Sequence, residues 1–443
     1  MKKLYIENLG CAKNQVDAEV IAFNLEKDGY VLCDNASESV IIIVNTCGFI
    51  ESAKEESLNT FFNLRNLYPD KKIILSGCLA QRYAKDLKKN LTEADAIFGN
   101  RNLKEINSVV KKLETSEKNF CCVPEYPLPD EESDTRNKLF GFPGSAFLKI
   151  SEGCNHRCAY CAIPVIRGSL RSRPEDAVLK EAKRLVKTGI KEINLIAQDL
   201  AAYGFDWDGK SHFCELLNDI CKIKGDFKVR MLYIHPDWMT DEIIDTVKNN
   251  PKVLHYFDIP FQHASANLLK PMKRTGNPKT YSALIENIRN KISDSVIRTT
   301  IMLGFPGDTA EDFKVVKDFI KKCRFNWMGS FVYSREEDTE AYKMTDEKTH
   351  SVLSRQAEKW KKSLEKIQEK ITQESLSSFV GKTYDVLIEE LVEGEDLAIG
   401  RIYAQAPEVD GLTVVMGRDM VAGNVYRCKV RKVNGIDLDA VKI

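Results

Sequence analysis

The chain lacks any charge excess: its 443 residues carry 65 Lys and Arg against 65 Asp and Glu. That balance excludes a globally basic nucleic-acid coat protein, though not a local basic patch. Long apolar runs are also missing. The longest uninterrupted aliphatic stretch is residues 40–44, far short of the ~18 residues of a membrane-spanning helix. The start, Met1-Lys2-Lys3-Leu4-Tyr5-Ile6-Glu7, reaches an acid too soon for a signal peptide. A cytoplasmic location without a membrane partner is therefore expected. The sequence has neither internal repeats nor low-complexity tracts. With 43% hydrophobic and 29% charged residues it has the composition of a folded protein. Its 13 cysteines are an odd number in a long chain, which argues against a disulfide scaffold. Cytosolic cysteines at fixed spacing more often serve metal or catalysis.

At roughly 150 residues per domain, the length predicts about three domains. Residues 1–118 alternate strand patterns (4–6, 40–44, 72–75) with helical ones (14–27, 51–67). This rhythm predicts an α/β domain with a doubly wound parallel sheet. Residues 119–139 hold Pro124, Pro127, Pro129 and the run Asp130-Glu131-Glu132, which is linker composition. Residues 140–372 carry six strand patterns, at 146–150, 192–196, 229–234, 254–259, 296–303 and 327–333. Helical patterns lie between most of them. A partial or complete β/α barrel is expected, with its chemistry at the C-terminal strand ends. Residues 345–378 read as a long helix. Residues 373–443 hold short strands at 383–388, 398–403, 412–416 and 425–433, which predicts a small antiparallel β-barrel.

The sharpest motif is Gly153-Cys154-Asn155-His156-Arg157-Cys158-Ala159-Tyr160-Cys161, just after a strand. Thiolates are the soft ligands that iron–sulfur clusters select. Three of them leave one iron of a four-iron cluster open to a small molecule. The competing reading is structural zinc, which wants four ligands in closed geometry. His156 offers a fourth, but it sits between the first two cysteines. A second set is Cys11, Cys47 and Cys78, each after a strand and beside a glycine. In an open parallel sheet the C-terminal strand ends face one crevice, so these three can meet there. The alternative is three unrelated buried cysteines. Cys33, Cys121, Cys122, Cys214, Cys221, Cys323 and Cys428 show no such spacing and read as structural.

The triplet with Tyr160 before its last cysteine resembles the signature of radical S-adenosylmethionine enzymes. Leu9-Gly10-Cys11-Ala12-Lys13-Asn14, Asn45-Thr46-Cys47-Gly48-Phe49-Ile50 and Ser76-Gly77-Cys78-Leu79 resemble the N-terminal domain of methylthiotransferases. The order of that domain, a radical core and a C-terminal TRAM barrel matches the family over essentially the whole chain. The resemblance implies two 4Fe-4S clusters, one on Cys11, Cys47 and Cys78, the other on Cys154, Cys158 and Cys161. The open iron of the latter would bind S-adenosylmethionine. Contacts to that cofactor are expected from Tyr160, from Gln198 at the end of the second barrel strand and from Gly304 after the fifth. Asp308 and Glu311 look like a capping pair for the next helix. The implied reaction replaces an unactivated C–H by C–SCH3. It uses two S-adenosylmethionine molecules, cluster-delivered sulfur and an electron donor of flavodoxin or ferredoxin type.

Methylthiotransferases divide mainly into enzymes acting on a tRNA adenosine and the RimO type, which modifies an aspartate β-carbon of small-subunit ribosomal protein twelve. The first cysteine motif, Pro260-Phe261-Gln262-His263-Ala264-Ser265, Ile297-Arg298-Thr299-Thr300 and residues 400–411 resemble the second kind. His263 and Arg298 are the expected substrate contacts. Residues 381–410 set two basic residues, Lys382 and Arg401, against eight acidic ones: Asp385, Glu389, Glu390, Glu393, Glu395, Asp396, Glu408 and Asp410. Such a surface repels a phosphate backbone and attracts a basic ribosomal protein, free or in its subunit. Nucleic acid is therefore not expected as the direct substrate. The segment Arg427–Lys432 at the far end is basic, so the charge is not one-sided. Arg167, Arg171 and Arg173 follow the cysteine loop, either to neutralise cluster or substrate charge or as a solvated face. Asp338 stands where the family commonly has glycine. A tRNA methylthiotransferase with an acidic TRAM barrel is the enzyme alternative. A non-catalytic iron–sulfur carrier would need no open iron.

Overall fold

A computed structural model of the chain describes residues 2–115, 119–124, 136 and 138–443. Six parallel strands form the first sheet: β1 (Lys2–Asn8), β2 (Tyr30–Leu32), β3 (Ile41–Thr46), β4 (Lys72–Gly77), β5 (Ala96–Phe98) and β6 (Phe120–Cys122). Their order is β2-β1-β3-β4-β5-β6. Ile41 to Val44 are all buried, as a central parallel strand covered on both faces requires. Strand order reverses between β1 and β3, which opens a crevice beyond their C-terminal ends. Strand β6 pairs with β5 through Cys121 and Cys122, so the sheet runs into the stretch expected as linker. Pro127, Pro129 and Asp130 to Glu132 lie outside the described residues. Arg136, from the same stretch, is buried between Glu19 of the first domain and Glu181 of the second.

The second sheet contains β7 (Ser145–Lys149), then, after a two-residue hairpin of β8 (Ser151–Glu152) and β9 (Arg171–Ser172), the strands β10 (Glu192–Ile196), β11 (Lys228–Leu232), β12 (Val253–Asp258), β13 (Val296–Leu303) and β14 (Trp327–Val332). All its pairings are parallel, in the order β14-β13-β12-β11-β10-β7. Of the two barrel forms expected, the open one is found. The helix Glu347–Ser377 packs along β13 and β14 and buries Ala357, Trp360, Leu364 and Ile371.

A closed barrel ends the chain: β15 (Thr383–Leu391), β16 (Leu397–Arg401), β17 (Thr413–Met416), β18 (Val425–Asn434) and β19 (Asp437–Lys442). Its fifth strand was not anticipated, and β17 pairs with β19 in parallel, so the barrel is not wholly antiparallel. The barrel docks at the N-terminal ends of the central strands. Leu254, Tyr256, Val296 and Trp327 share a core with its interior, and Trp327 donates to Ala404 O at 2.6 Å.

This joint corrects the charge reading of residues 381–410. Glu389 is buried against Arg401 at 2.7 Å, and Arg401 also binds Glu192 at 2.9 Å. Asp410 is buried beneath Tyr256 and Arg298. Asp385 pairs with Arg427 and Asp396 with Arg418. Of the eight acids, Glu390, Glu393, Glu395 and Glu408 are exposed without an ion-pair partner among the described residues.

Glu192 faces Arg230 as well as Arg401. Burial works against its ionisation, yet the two guanidiniums hold its pKa at about 2. A carboxylate depressed in this way gives stability above its unfolded pKa and loses it as pH falls toward the folded value. Glu192→Gln is expected to destabilise the chain by about 3–5 kcal/mol at neutral pH, because it strips a buried pair of guanidiniums of their counter-charge. The difference from wild type should narrow as pH falls from about 4.5 to about 2. Urea unfolding across that pH range measures both effects.

Candidate functional site

The loops leaving β1, β3 and β4 carry the first cysteine set. Cys11 precedes the helix Ala12–Lys27, and Cys78 opens the helix Cys78–Arg82. Gly77 takes φ +94° between strand and helix, and a Cβ there would stand 2.5 Å from Thr46 O. Asn14 ties the loops together, its Nδ2 donating to Leu9 O and Thr46 O at 2.9 Å each. The second set, Cys154, Cys158 and Cys161, lies in the loop between β8 and β9, at the C-terminal end of the open barrel. All six thiols line one cavity of about 330 Å³. Residues separated by as much as 150 positions thus meet between two domains.

Burial pushes the thiols of Cys78, Cys154 and Cys161 up to about 12, and raises Cys47 as well. Such thiols stay protonated at neutral pH unless a cation compensates, which is what iron does when it binds sulfur. Among the described residues no three His, Cys, Asp or Glu side chains converge on a single metal ion. A four-iron cluster instead takes one thiolate per iron at separate corners and does not require three donors on one ion. His156 is otherwise engaged: Nε2 meets Asp199 at 2.7 Å and the ring stacks on His235. Burial lowers His235 to about 2, so that ring is neutral.

Each triplet has a buried guanidinium beside it. Arg167 donates to Cys78 Sγ at 3.3 Å and to Asn14 Oδ1 at 2.8 Å, and it pairs with Asp17 and Glu152 at 2.8 and 2.9 Å. Lys149 joins the same two carboxylates. Burial would raise Glu152, but Arg167 and Lys149 hold it well below the usual carboxylate range. Arg274 lies 3.9 Å from Cys158 Sγ and donates to Tyr160 OH at 3.2 Å. The sequence reading missed Arg274, which lies over a hundred residues from Cys158 and in no motif.

Tyr160 and Gln198 line the cavity. Gln198 donates to Glu152 Oε1. Gly304, His263 and Arg298 do not line it. Gly304 has φ +77° and lies under the long helix, where a Cβ would come within 2.7 Å of Ala357 Cβ. His263 is fully buried and accepts from Ser265 N. Arg298 is one layer below Thr300, which does line the cavity, and pairs with Asp258 and Asp410 at the joint with the C-terminal barrel. The helix cap is one residue later than expected: Thr309 Oγ1 accepts from Asp312 N. Asp308 instead accepts from Gly304 N, and burial raises it to about 7. Arg171 and Arg173 brace the loop through backbone carbonyls, and Arg173 also binds Glu181. Asp338 adopts φ +63°, a left-handed conformation that Asp tolerates in place of glycine. Two residues earlier, Glu336 lines the cavity and binds Arg82 and Lys54 of the first domain.

Residues 3–99 match the model of uncharacterized protein family UPF0004, 148–320 that of the Radical SAM superfamily and 380–443 that of the TRAM domain. The chain is 40% identical to the ribosomal protein uS12 methylthiotransferase RimO of Treponema denticola, over 98% of this chain and 99% of that one. It is 42% identical to its namesake in Carboxydothermus hydrogenoformans, over 93% and 92%. The chain belongs to the RimO methylthiotransferase family. It is a radical S-adenosylmethionine transferase, and a 4Fe-4S cluster and S-adenosylmethionine follow from that domain. The solved structure of the radical S-adenosylmethionine methyltransferase TsrM from Kitasatospora setae, with cobalamin and a 4Fe-4S cluster bound, shares the fold. Its TM-score is 0.56 at 14% identity, over 77% of each chain.

If each triplet holds its own cluster, Cys78→Ala and Cys161→Ala should each lose about half of the iron that wild type takes up on anaerobic reconstitution. Cys121→Ala, in strand β6, should lose none. Iron and sulfide analysis per chain decides.

Proposed function

We propose that this enzyme replaces a hydrogen on the β-carbon of an aspartate in ribosomal protein uS12 by a methylthio group. One observation carries the reading: two separate thiol triplets line a single cavity. Polar acid–base chemistry does not readily break an unactivated C–H bond. Two clusters and S-adenosylmethionine, when bound, supply a radical to remove the hydrogen and sulfur to replace it. Both must reach the same carbon, so a shared cavity is the geometry this reaction needs. Cys154, Cys158 and Cys161 would hold the cluster that binds S-adenosylmethionine; Cys11, Cys47 and Cys78 would hold the second.

The chain's own residues orient and enclose. Tyr160, Gln198 and His235 wall the side of the second triplet. Phe49, Ile163, Met302 and Phe331 give the cavity an apolar lining that excludes water from the reacting carbon. Arg167 and Arg274 set positive charge against thiolates. The substrate assignment follows the relatives' names, and the exposed acids Glu390, Glu393, Glu395 and Glu408 suit a basic protein better than a phosphate backbone. Electrons come from a donor of flavodoxin or ferredoxin type. No helix among the described residues is long and apolar enough to cross a membrane.

In anaerobic assays with reductant, Cys158→Ala is expected to abolish S-adenosylmethionine cleavage. Cys47→Ala should still release deoxyadenosine but give no methylthiolated uS12. Normal product from Cys47→Ala would sink the two-cluster mechanism. In a strain lacking the gene, mass spectrometry should show uS12 without its methylthio group and tRNA nucleosides unchanged. The reverse pattern would assign the enzyme to tRNA.

A further inference from the structure

The cavity walls carry several charges, and nearly all are already matched. Glu336 is met by Arg82 at 2.6 Å and Lys54 at 3.2 Å. Arg167 is met by Asp17 and Glu152. His156 rests on Asp199. Lys13, in the first turn of the helix Ala12–Lys27, lines the same cavity half-buried. Among the described residues it has no ion-pair partner. It follows Cys11 by two residues and shares the cavity wall with Cys154 of the other domain. Lys13 therefore belongs to the wall of the one cavity that all six thiols line.

We propose that Lys13 is a specificity-determining residue that binds the side-chain carboxylate of the substrate aspartate. The inference rests on the substrate reading above and deepens it. An aspartate carboxylate is one bond from the β-carbon that reacts, so it must enter the cavity with that carbon. The walls are largely apolar, and a carboxylate moved there from water needs a counter-charge. Among the described residues that line the cavity, Lys13 is an uncommitted cation that can give it. An ammonium on a flexible stem also suits a point charge that arrives with an incoming peptide. A neutral adenine ring would have no use for it.

The test compares two synthetic peptides spanning the modified site of uS12, one with the aspartate and one with asparagine in its place. Binding is measured by anaerobic calorimetry on reconstituted enzyme with S-adenosylmethionine and no reductant. Wild type should prefer the aspartate peptide by at least about tenfold. Lys13→Met should bring the ratio close to one, and Lys13→Arg should restore a preference. A Lys13→Met enzyme that keeps the wild-type ratio overturns the proposal, even if both peptides bind more weakly. So does a wild type that does not distinguish the two peptides. A wild type that binds neither peptide also overturns the proposal, whereas the uS12 reading stands or falls separately on the methylthio group of uS12 in the strain lacking the gene.

Discussion

The two cysteine triplets share a cavity because buried ion pairs fix the first domain over the open end of the barrel. Asp17 and Glu19 leave the helix Ala12–Lys27 and meet Lys149, Arg167 and Arg136. On the other side of the cavity Arg82 and Lys54 meet Glu336. Buried ion pairs add little net stability relative to a well-packed apolar contact, but they punish displacement heavily. An apolar seam can slide, whereas this one leaves a charge uncompensated for any shift that parts the partners. Arg167 joins that seam to the site directly, since the same guanidinium reaches Cys78. Registration of the domains and the environment of a thiol are thus one interaction.

The central barrel uses its two ends differently. At the C-terminal strand ends, loops and the first domain gather soft sulfur donors around one cavity. At the N-terminal ends, Glu192, Arg230, Arg298 and Asp258 form a polar layer that receives Arg401 and Asp410 of the C-terminal barrel. Thr300 and Arg298, two residues apart on one strand, stand at the border between cavity and joint. The docking barrel therefore sits one layer of side chains from the chemistry without contributing to its walls.

Much of this was legible in the sequence, for physical reasons. Strands β10 and β13 are rich in Ile and Leu and lie between helical patterns, and their limits match the expected 192–196 and 296–303. The first triplet announced itself because each of its cysteines leaves a strand beside a glycine, and parallel topology brings strand ends together; the second did so by its close spacing within one loop after a strand. Strands β2, β5 and β6 have three residues each, too few to show a period. Strand β19 reads Asp-Leu-Asp-Ala-Val-Lys, with too little apolar content to stand out. Arg136, Arg274 and Glu336 act over long sequence separations and belong to no local pattern. The expectations for Gly304 and His263 rested on closeness to strand ends and that for Arg298 on a family motif, and neither signal carries the depth and facing that decide what lines the cavity. Counting charges in residues 381–410 could not tell that Glu389 and Asp410 face inward.

If each triplet holds a cluster, both clusters share one cavity, and their mutual magnetism tests that arrangement most directly. Electron paramagnetic resonance of the fully reduced enzyme should show a spectrum broadened by coupling between two neighbouring paramagnets. It should differ from the sum of the spectra of Cys47→Ala and Cys158→Ala, each holding a single cluster. A wild-type spectrum equal to that sum would place the clusters apart and contradict the account.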